Sequence, residues 1–416
     1  MAYEELEAIL GGFEGFELVN VTREPSTKPP RLLLELRAKE GHPKRCSKCG
    51  EVVLEIHETV ERRVRDLDVG EWESWVVFPR ARLQCPRCGP TVEEVPWLDR
   101  YQRMTKRLAE KIARLAQVLP IKHVADWFSL SWDTVKQIDK RALIERLQPL
   151  DLSEVKVIAI DEFAIHHGHR YATVITDPTT KRVLWVARDR DREAVRGFLD
   201  ALGAKGCMRI EAVVMDMWRP YRTEIQSRCP NAVIVFDLFH MVAKYGREVV
   251  DRVRVDETNK ISRAKGGCDL RTRAMRRVIK GTRWLLLKNP ENLKNAAERV
   301  RLDELLAANH ALFVVYVLKD DLKRLWGFRD PEVASRFWNE WYQRAMNSGI
   351  KPLMAFAEML AAKIDSVIAH CTYPLSTGLL EGINNKIKVM KRMAYGFRDE
   401  EYFFLKIRAA FPGIPR

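Results

Sequence analysis

Two short cysteine pairs constrain this chain more than any other feature of it. Cys46-Ser47-Lys48-Cys49-Gly50 and Cys85-Pro86-Arg87-Cys88-Gly89 share the pattern C-x-x-C-G. That spacing lets both thiolates of one tight knuckle face the same ion. Four thiolates suit tetrahedral zinc, with Zn–S bonds of ~2.3 Å. Disulfides are one alternative, and a redox role for a single pair is another. The opening Met1-Ala2-Tyr3-Glu4-Glu5 is acidic and mixed, unlike an export signal, so the thiols are expected to stay reduced. Two matching pairs then favour one structural zinc. Alternating runs at Val52–Ile56 and Trp72–Phe78 predict strands between the knuckles, hence a zinc ribbon. Cys207, Cys229, Cys268 and Cys371 stand alone and read as ordinary buried residues.

Length and charge set the next limits. At 416 residues, and roughly 100–200 residues per domain, the chain should hold two to four domains. Its longest apolar stretch, Ala311–Leu318, is far shorter than the ~18–20 residues of a membrane span. The balance of 71 basic and 57 acidic residues, 71 − 57 = +14, favours a polyanionic partner. Charge alone would also fit ribosomal or membrane-surface contact. The expectation from composition is a soluble, intracellular, multidomain, basic protein.

After Pro96 the pattern turns helical. Met104–Leu119 puts Leu108, Ile112, Leu115 and Leu119 on one stripe, and Pro120 ends it. A short segment, Ile121–Phe128, leads to a helix starting at Trp132, with Ser131 as its N-cap. Short helix, tight turn, helix is the arrangement whose second helix enters the DNA major groove, where Lys136, Gln137, Lys140 and Arg141 could face the duplex. A plain helical hairpin is the other reading; the neighbouring zinc module tips the balance toward DNA.

From Val155 the grammar changes to strands. Val155–Ile160 runs into Asp161, and Tyr171–Thr176 and Val183–Ala187 follow around Asp177-Pro178. Helical Asp191–Leu202 precedes Ile210–Met215, which ends at Asp216, and Ala232–Phe236 ends at Asp237. If the fourth strand pairs parallel to the first, Asp161 and Asp216 converge at one sheet edge, where α/β sheets bind ligands. Adjacent carboxylates repel, and magnesium with its hard oxygen ligands resolves the conflict. Glu162, next along, should point to the opposite face.

The order of elements, Ile160-Asp161-Glu162-Phe163-Ala164, Val214-Met215-Asp216-Met217-Trp218-Arg219-Pro220-Tyr221, Asp237-Leu238-Phe239-His240 and Gly378-Leu379-Leu380-Glu381-Gly382-Ile383-Asn384-Asn385-Lys386-Ile387-Lys388 carry a resemblance. So does Lys391-Arg392-Met393-Ala394-Tyr395-Gly396. Together they resemble the ribonuclease H-like core of DDE transposases, and more narrowly the ISL-three group of bacterial insertion-sequence transposases. The likeness covers nearly the whole chain. It implies a multidomain α/β protein: residues 1–98 with a zinc ribbon (knuckles 46–49 and 85–88), a helix-turn-helix at 99–150, and a catalytic domain at 151–416. The catalytic domain would be a mixed sheet carrying an all-α insertion at about 241–370.

By position the resemblance makes Asp161, Asp216 and Glu381 the metal-binding carboxylates. They would hold two magnesium ions ~3.5–4 Å apart, with manganese as a substitute. Asp237 competes with Asp216, whose strand should adjoin that of Asp161. The family's D-x-x-H signature fits Asp237 and His240 as support for the site. Ser376 or Thr377 can cap the helix of Glu381, where Asn384 and Asn385 share its face. Lys386, Lys388, Lys391 and Arg392 give that helix a phosphate-binding surface.

Residues 241–291 hold 14 basic and 6 acidic residues, 14 − 6 = +8. Arg271, Arg273, Arg276, Arg277 and Lys280 could line a DNA path there, although solvated helix charge explains any one of them. Trp284, Trp326, Trp338 and Trp341 could stack on an unpaired base, but read first as helix-packing core. His166, His167 and His169 cluster at a turn without the spacing of a second transition-metal site.

The implied activity is cleavage at terminal inverted repeats, then transfer of the freed 3′-hydroxyl into target DNA. Double-stranded DNA would be the partner, and pairing two ends implies a homodimer or larger oligomer on DNA. A DNA-binding regulator with an inactive core, and a structure-specific nuclease without strand transfer, remain as alternatives.

Overall fold

The computed structural model describes residues 10–147, 150–166, 170–263, 277, 279, 281–288, 292–293, 296–374 and 378–414. The chain forms two compact units, Met1–Gln148 with Met393–Gly396, and Pro149–Arg392 with Phe397–Arg416. Among the described residues no helix is long and apolar enough to cross a membrane.

The first unit is built on a sheet of β1 (Phe16–Glu24), β2 (Arg31–Ala38), β3 (Ile56–Arg65), β4 (Glu73–Cys85) and β5 (Gly89–Val92). The order is β1-β2-β4-β3, with β5 also pairing β4. Phe16, Leu34, Val64, Val76 and Phe78 alternate inward to make its core. The expected strand at Val52–Ile56 is absent: Val52 makes one isolated bridge, Leu54 faces solvent, and β3 starts only at Ile56. The first knuckle spends those residues on its return to the sheet.

The helix-turn-helix follows as α1 (Lys106–Ala116), α2 (Ile121–Trp127) and α3 (Trp132–Leu147). Thr105 caps α1 and donates its hydroxyl to Asp66 at 2.6 Å, and Arg65 Nη1 reaches the Phe128 carbonyl at 3.1 Å. Sheet and helices are thereby knit together. Leu119 does not join the buried stripe, because α1 stops at Ala116. Ser131 caps α3 by accepting from the Thr134 amide at 3.1 Å, worth about 1 kcal/mol at such positions.

The second unit carries a mixed sheet of β6 (Val157–His166), β7 (Arg170–Asp177), β8 (Arg182–Arg188), β9 (Ala212–Met215) and β10 (Val233–Phe236). Its order is β10-β9-β6-β7-β8. The hairpins β6–β7 and β7–β8 are antiparallel, whereas β9 and β10 add in parallel on the other side of β6. β6 does not end at Asp161; it runs on to His166 because β7 pairs with it beyond that point. Alternation separates the two faces. Ile158, Ile160 and Val213 pack under α4 (Arg192–Arg209) and α5 (Arg219–Arg228). Phe163, Ile165 and Val174 pack against α14 (Gly378–Met393) and α15 (Glu400–Ala410).

Between β10 and α14 the described chain is helical. It comprises α6 (Leu238–Tyr245), α7 (Asp251–Arg263), α8 (Arg283–Leu287), α9 (Ala296–Ala308), α10 (His310–Arg324), α11 (Pro331–Asn347), α12 (Lys351–Ala361) and α13 (Ile364–Ile368). Trp326, Trp338 and Trp341 are buried there as expected. The Trp341 indole donates to the Leu318 carbonyl at 2.8 Å, and that of Trp326 to Phe236 at 3.4 Å. Trp284 departs from that expectation and stands 70% exposed. Cys207, Cys229 and Cys371 are buried, and Cys268 lies outside the described residues.

His370 gives this helical region a pH response. Its Nε2–H donates to the Trp326 carbonyl at 2.7 Å, and burial holds its pKa below the usual histidine value. A depressed value means the contribution is complete above the unfolded pKa of ~6.5 and is lost as pH falls through the folded value. His370→Gln should therefore show a smaller drop in unfolding midpoint than the wild type between pH 7 and 5. Identical slopes for the two proteins would refute this.

Candidate active site and metal centre

Each cysteine knuckle reverses the chain through a glycine. Gly50 and Gly89 have φ of 75° and 72°, where a Cβ is poorly tolerated. The Gly50 amide closes the first turn onto the Cys46 carbonyl at 2.8 Å, and β4 delivers Cys85 as its last residue. The four Sγ atoms of Cys46, Cys49, Cys85 and Cys88 lie within 4.8 Å of one another, with Cys49 and Cys85 at 3.7 Å. Sulfurs arranged tetrahedrally at ~2.3 Å from one zinc would stand about 3.8 Å apart.

Burial opposes ionisation of Cys46, but the Lys48 and Cys49 amides outweigh it and bring the thiol down to about 6. The Glu51 amide favours the Cys49 thiolate, yet burial and the neighbouring sulfurs push it up to about 12. Four such groups cannot all ionise side by side without a cation. Soft sulfur donors at this spacing are those of a structural zinc site.

The second site is set by strand register. Ala159 pairs with Val214, and Met215 with Phe236. Two residues past Ala159, Asp161 comes level with Asp216, and Asp237 follows Phe236 into the same row. The Asp237 amide donates to the Met215 carbonyl at 3.1 Å. Ala159, Val214 and Val235, each two residues before one of these aspartates, cluster with Leu380 of α14 on one face of the sheet. Three carboxylates thus start from one row, beneath the helix that carries Glu381.

Protein donors hold each aspartate. Asp161 Oδ2 accepts from Asn384 Nδ2 at 2.7 Å, and its Oδ1 accepts from the Glu162 amide at 2.8 Å. His240 Nε2 lies 3.5 Å from Asp161 Oδ1, and that carboxylate raises the imidazole to about 9 against the opposing effect of burial. Asp216 Oδ1 accepts from the Trp218 amide at 2.8 Å; Asp237 caps α6 by accepting from Phe239 at 2.6 Å. Burial raises the pKa of both Asp216 and Asp237.

Among the described residues, only the four cysteines bring three or more His, Cys, Asp or Glu ligand atoms within 4.8 Å. Asp161, Asp216 and Glu381 are not drawn that close, and Glu381 is exposed in the first turn of α14. Asn384, three residues on, reaches Asp161, while Asn385 faces solvent. Asn384 Oδ1 and Glu162 Oε2 are buried atoms without a hydrogen-bond partner. Carboxylate and amide oxygens of this kind fit a hard divalent cation.

Three residues outside the expected ligand set, Glu162, Arg190 and Trp218, gather beside the aspartate row. By alternation Glu162 does leave on the α4–α5 side, but its carboxylate stays near the aspartate row. Burial first, and then the charge of Asp216, push it up to about 7. Arg190 answers it at 3.2 Å, with its guanidinium 3.9 Å from the Trp218 ring centroid and 5.3 Å from that of Tyr171. Trp218 donates its indole N–H to the Arg190 carbonyl at 2.9 Å. The acidic residue after Asp161 was a usable signal. Asp189-Arg190-Asp191 gave none, because it reads as a solvated loop.

On α3, Gln137 is exposed and Lys136, Lys140 and Arg141 are half-buried. Lys136 lies over the Trp132 ring at 5.5 Å, and Arg141 stands 3.8 Å from Asp99. Trp127 and Trp132 flank the turn and are exposed. Lys386 and Lys391 donate to the Ala410 and Ala164 carbonyls at 2.7 and 3.2 Å, whereas Lys388 and Arg392 are exposed. Arg277 is exposed; Arg271, Arg273, Arg276, Lys280, His167, His169, Ser376 and Thr377 lie outside the described residues, as does the side chain of His166.

Residues 158–407 match a transposase family model of the ISL3 DDE type. Residues 93–143 match the helix-turn-helix domain of transposase family ISL3. Residues 42–88 match the zinc-finger of the IS204/IS1001/IS1096/IS1165 transposases. The chain is 47% identical to the transposase for insertion sequence element IS1001 of Bordetella parapertussis, over 100% of both chains. It is 29% identical to the transposase for insertion sequence element IS1557 of Mycobacterium tuberculosis, over 89% of this chain and 86% of that one. Cysteine cluster, DNA-reading helices and carboxylate-edged mixed sheet therefore belong together: the chain is a member of the ISL3 family of DDE transposases.

Proposed function

We propose that the protein cuts DNA strands at the ends of an insertion sequence and joins the freed 3′-hydroxyl to target DNA, with Asp161, Asp216 and Glu381 as its metal-binding carboxylates. The docking of α14 carries this reading. Leu380 packs on Ala159, Val214 and Val235, and Asn384 bonds to Asp161. Glu381 lies between those two anchors in sequence, so its helix starts over the aspartate row. Two magnesium ions, or manganese in their place, would supply charge for the attacking and leaving oxygens of an in-line displacement.

The remaining work falls to the chain itself. Asn384 fixes the rotamer of Asp161, and Asp237 caps α6 so that His240 is presented to the same carboxylate. Asn385 supports the site from α14, Lys386, Lys388, Lys391 and Arg392 meet the DNA backbone, and Arg273, Arg276 and Arg277 are further proposed DNA contacts. The helix-turn-helix reads the terminal inverted repeats through Lys136, Gln137, Lys140 and Arg141, with α3 in the major groove. One zinc per chain holds the knuckles, and synapsis of two ends requires at least a dimer on DNA. The working location is the nucleoid.

Purified protein incubated with magnesium and end-containing DNA tests the reading. Strand nicking followed by joining of the 3′ end is the expected result. Binding without nicking would make the protein a regulator, and cleavage of junctions without joining would make it a nuclease only. Asp216→Asn should cost at least about 10²-fold in nicking, as loss of a charge stabiliser does. Asp237→Asn should cost less, because its Oδ1 serves the cap of α6. Full activity in Asp216→Asn would transfer the role to Asp237.

A further inference from the structure

We propose that Arg190 grips a phosphate of the DNA strand lying at the aspartate row, as a substrate-binding residue outside the carboxylate set. The assignment rests on the DNA-cutting reading and adds to it a protein contact with the strand itself. Arg190 lies in the turn between β8 and α4, and the whole turn is tied down. Asp189 adopts φ of 67°, a conformation that few residues other than glycine accept. Its amide donates to the Tyr171 carbonyl at 2.8 Å, and its carbonyl accepts from Thr173 Oγ1 at 2.7 Å. Thr173 Oγ1 is in turn 2.7 Å from the buried Tyr221 hydroxyl. The Arg190 carbonyl accepts from the Trp218 indole at 2.9 Å, and Asp191 caps α4 through the Ala194 amide at 2.9 Å. A strained backbone held by this many bonds places a side chain, where a solvated loop would relax.

Two aromatic rings hold the guanidinium, 3.9 Å from the Trp218 centroid and 5.3 Å from that of Tyr171. Stacking uses the flat face of the group and leaves its edge for hydrogen bonds. Among the described residues its ion-pair partner is Glu162, 3.2 Å from Nη1. A guanidinium carries five N–H donors, and one carboxylate accepts two of them at most. The side chain is still 29% exposed, so donors remain for a ligand. A counter-ion for Glu162 alone would need neither the strained turn nor the aromatic clamp. Trp218 ties the clamp to the metal row, because its amide donates to Asp216 Oδ1 at 2.8 Å while its ring meets Arg190. A strand brought to Asp216 therefore passes Arg190. The rigid fork of a guanidinium matches phosphate oxygens, and its charge persists at every working pH.

The test uses the full chain and end-containing duplex, with calcium replacing magnesium so that DNA is bound without being cut. The probes are the unmodified duplex and a series carrying one neutral methylphosphonate at each successive phosphate across the element's end. Arg190→Ala should bind the unmodified duplex about tenfold more weakly, the size of a lost charge-assisted hydrogen bond. On one probe of the series variant and wild type should bind alike, because the charge that Arg190 grips is already gone. Arg190→Lys should fall between them on the unmodified duplex, since it keeps the charge and loses the fork. A variant that is merely destabilised, or an arginine that acts only through Glu162, would lose affinity equally on every probe. Equal loss across the series would thus overturn the proposal, as would full affinity of Arg190→Ala for the unmodified duplex. Wild-type nicking in magnesium is a separate measurement: its absence would remove the DNA-cutting reading and leave the comparison of probes intact.

Discussion

Asp161→Ala should abolish magnesium-dependent nicking of end-containing DNA, by at least about 10²–10³-fold, while leaving affinity for that DNA nearly unchanged. Asp161 is where the site's interactions meet. It accepts from Asn384 at 2.7 Å, neighbours His240 at 3.5 Å, and stands level with Asp216 across the parallel pair. Removing its carboxylate deletes a proposed metal ligand and leaves the Asn384 amide and the His240 imidazole without their partner. Glu381→Ala should match that loss from the other side of the site, because Glu381 is exposed and contributes little to folding. Asn384→Ala should fall in between, since it frees the Asp161 rotamer but keeps every carboxylate. Wild-type nicking in either alanine variant, Asp161 or Glu381, would remove that residue from the metal shell. Parallel binding and cleavage assays on one DNA check all three.

The second large effect belongs to zinc. Wild-type protein should carry about one zinc per chain, and Cys46→Ser should lose most of it together with protease resistance around both knuckles. Structural zinc contributes about 10–16 kcal/mol in finger-sized units. Among the described residues the apolar shell here is Val53, Ala81 and Leu83 beside the cysteines themselves, too few to hold two hairpin turns without a metal. Elemental analysis and limited proteolysis read out both consequences. A metal-free wild type that resists protease would overturn the zinc assignment.

Much of this was legible in the sequence because the relevant signals are local. The knuckles announce themselves by spacing, and Asp161, Asp216 and Asp237 each stand where an apolar strand meets polar residues. Beyond the parallel pair of β6 and β9, what sequence could not supply is pairing. β6 was expected to stop at Asp161, yet Phe163 and Ile165 alternate onward and are buried by α14 and α15, elements far away in the chain. The strands β1 and β2 were not read at all. β2 gains its place by pairing in parallel with β4, a partner that no local pattern reveals. Arg190 escaped notice for a similar reason, since its meaning comes from Glu162, Trp218 and Tyr171 gathered by the sheet. Trp284 illustrates the limit from the other side. Its aromatic neighbours fill a core, and only packing decides which of four tryptophans is left outside.

The bond between Asn384 and Asp161 joins residues separated by 223 positions. Translation therefore delivers the DNA-reading helices, complete by Leu147, long before the ribosome reaches the helix that finishes the cutter. Domains fold in order of synthesis. On the proposed function, a nascent or prematurely terminated product would hold DNA ends without severing them, and so compete with the complete protein for its own element.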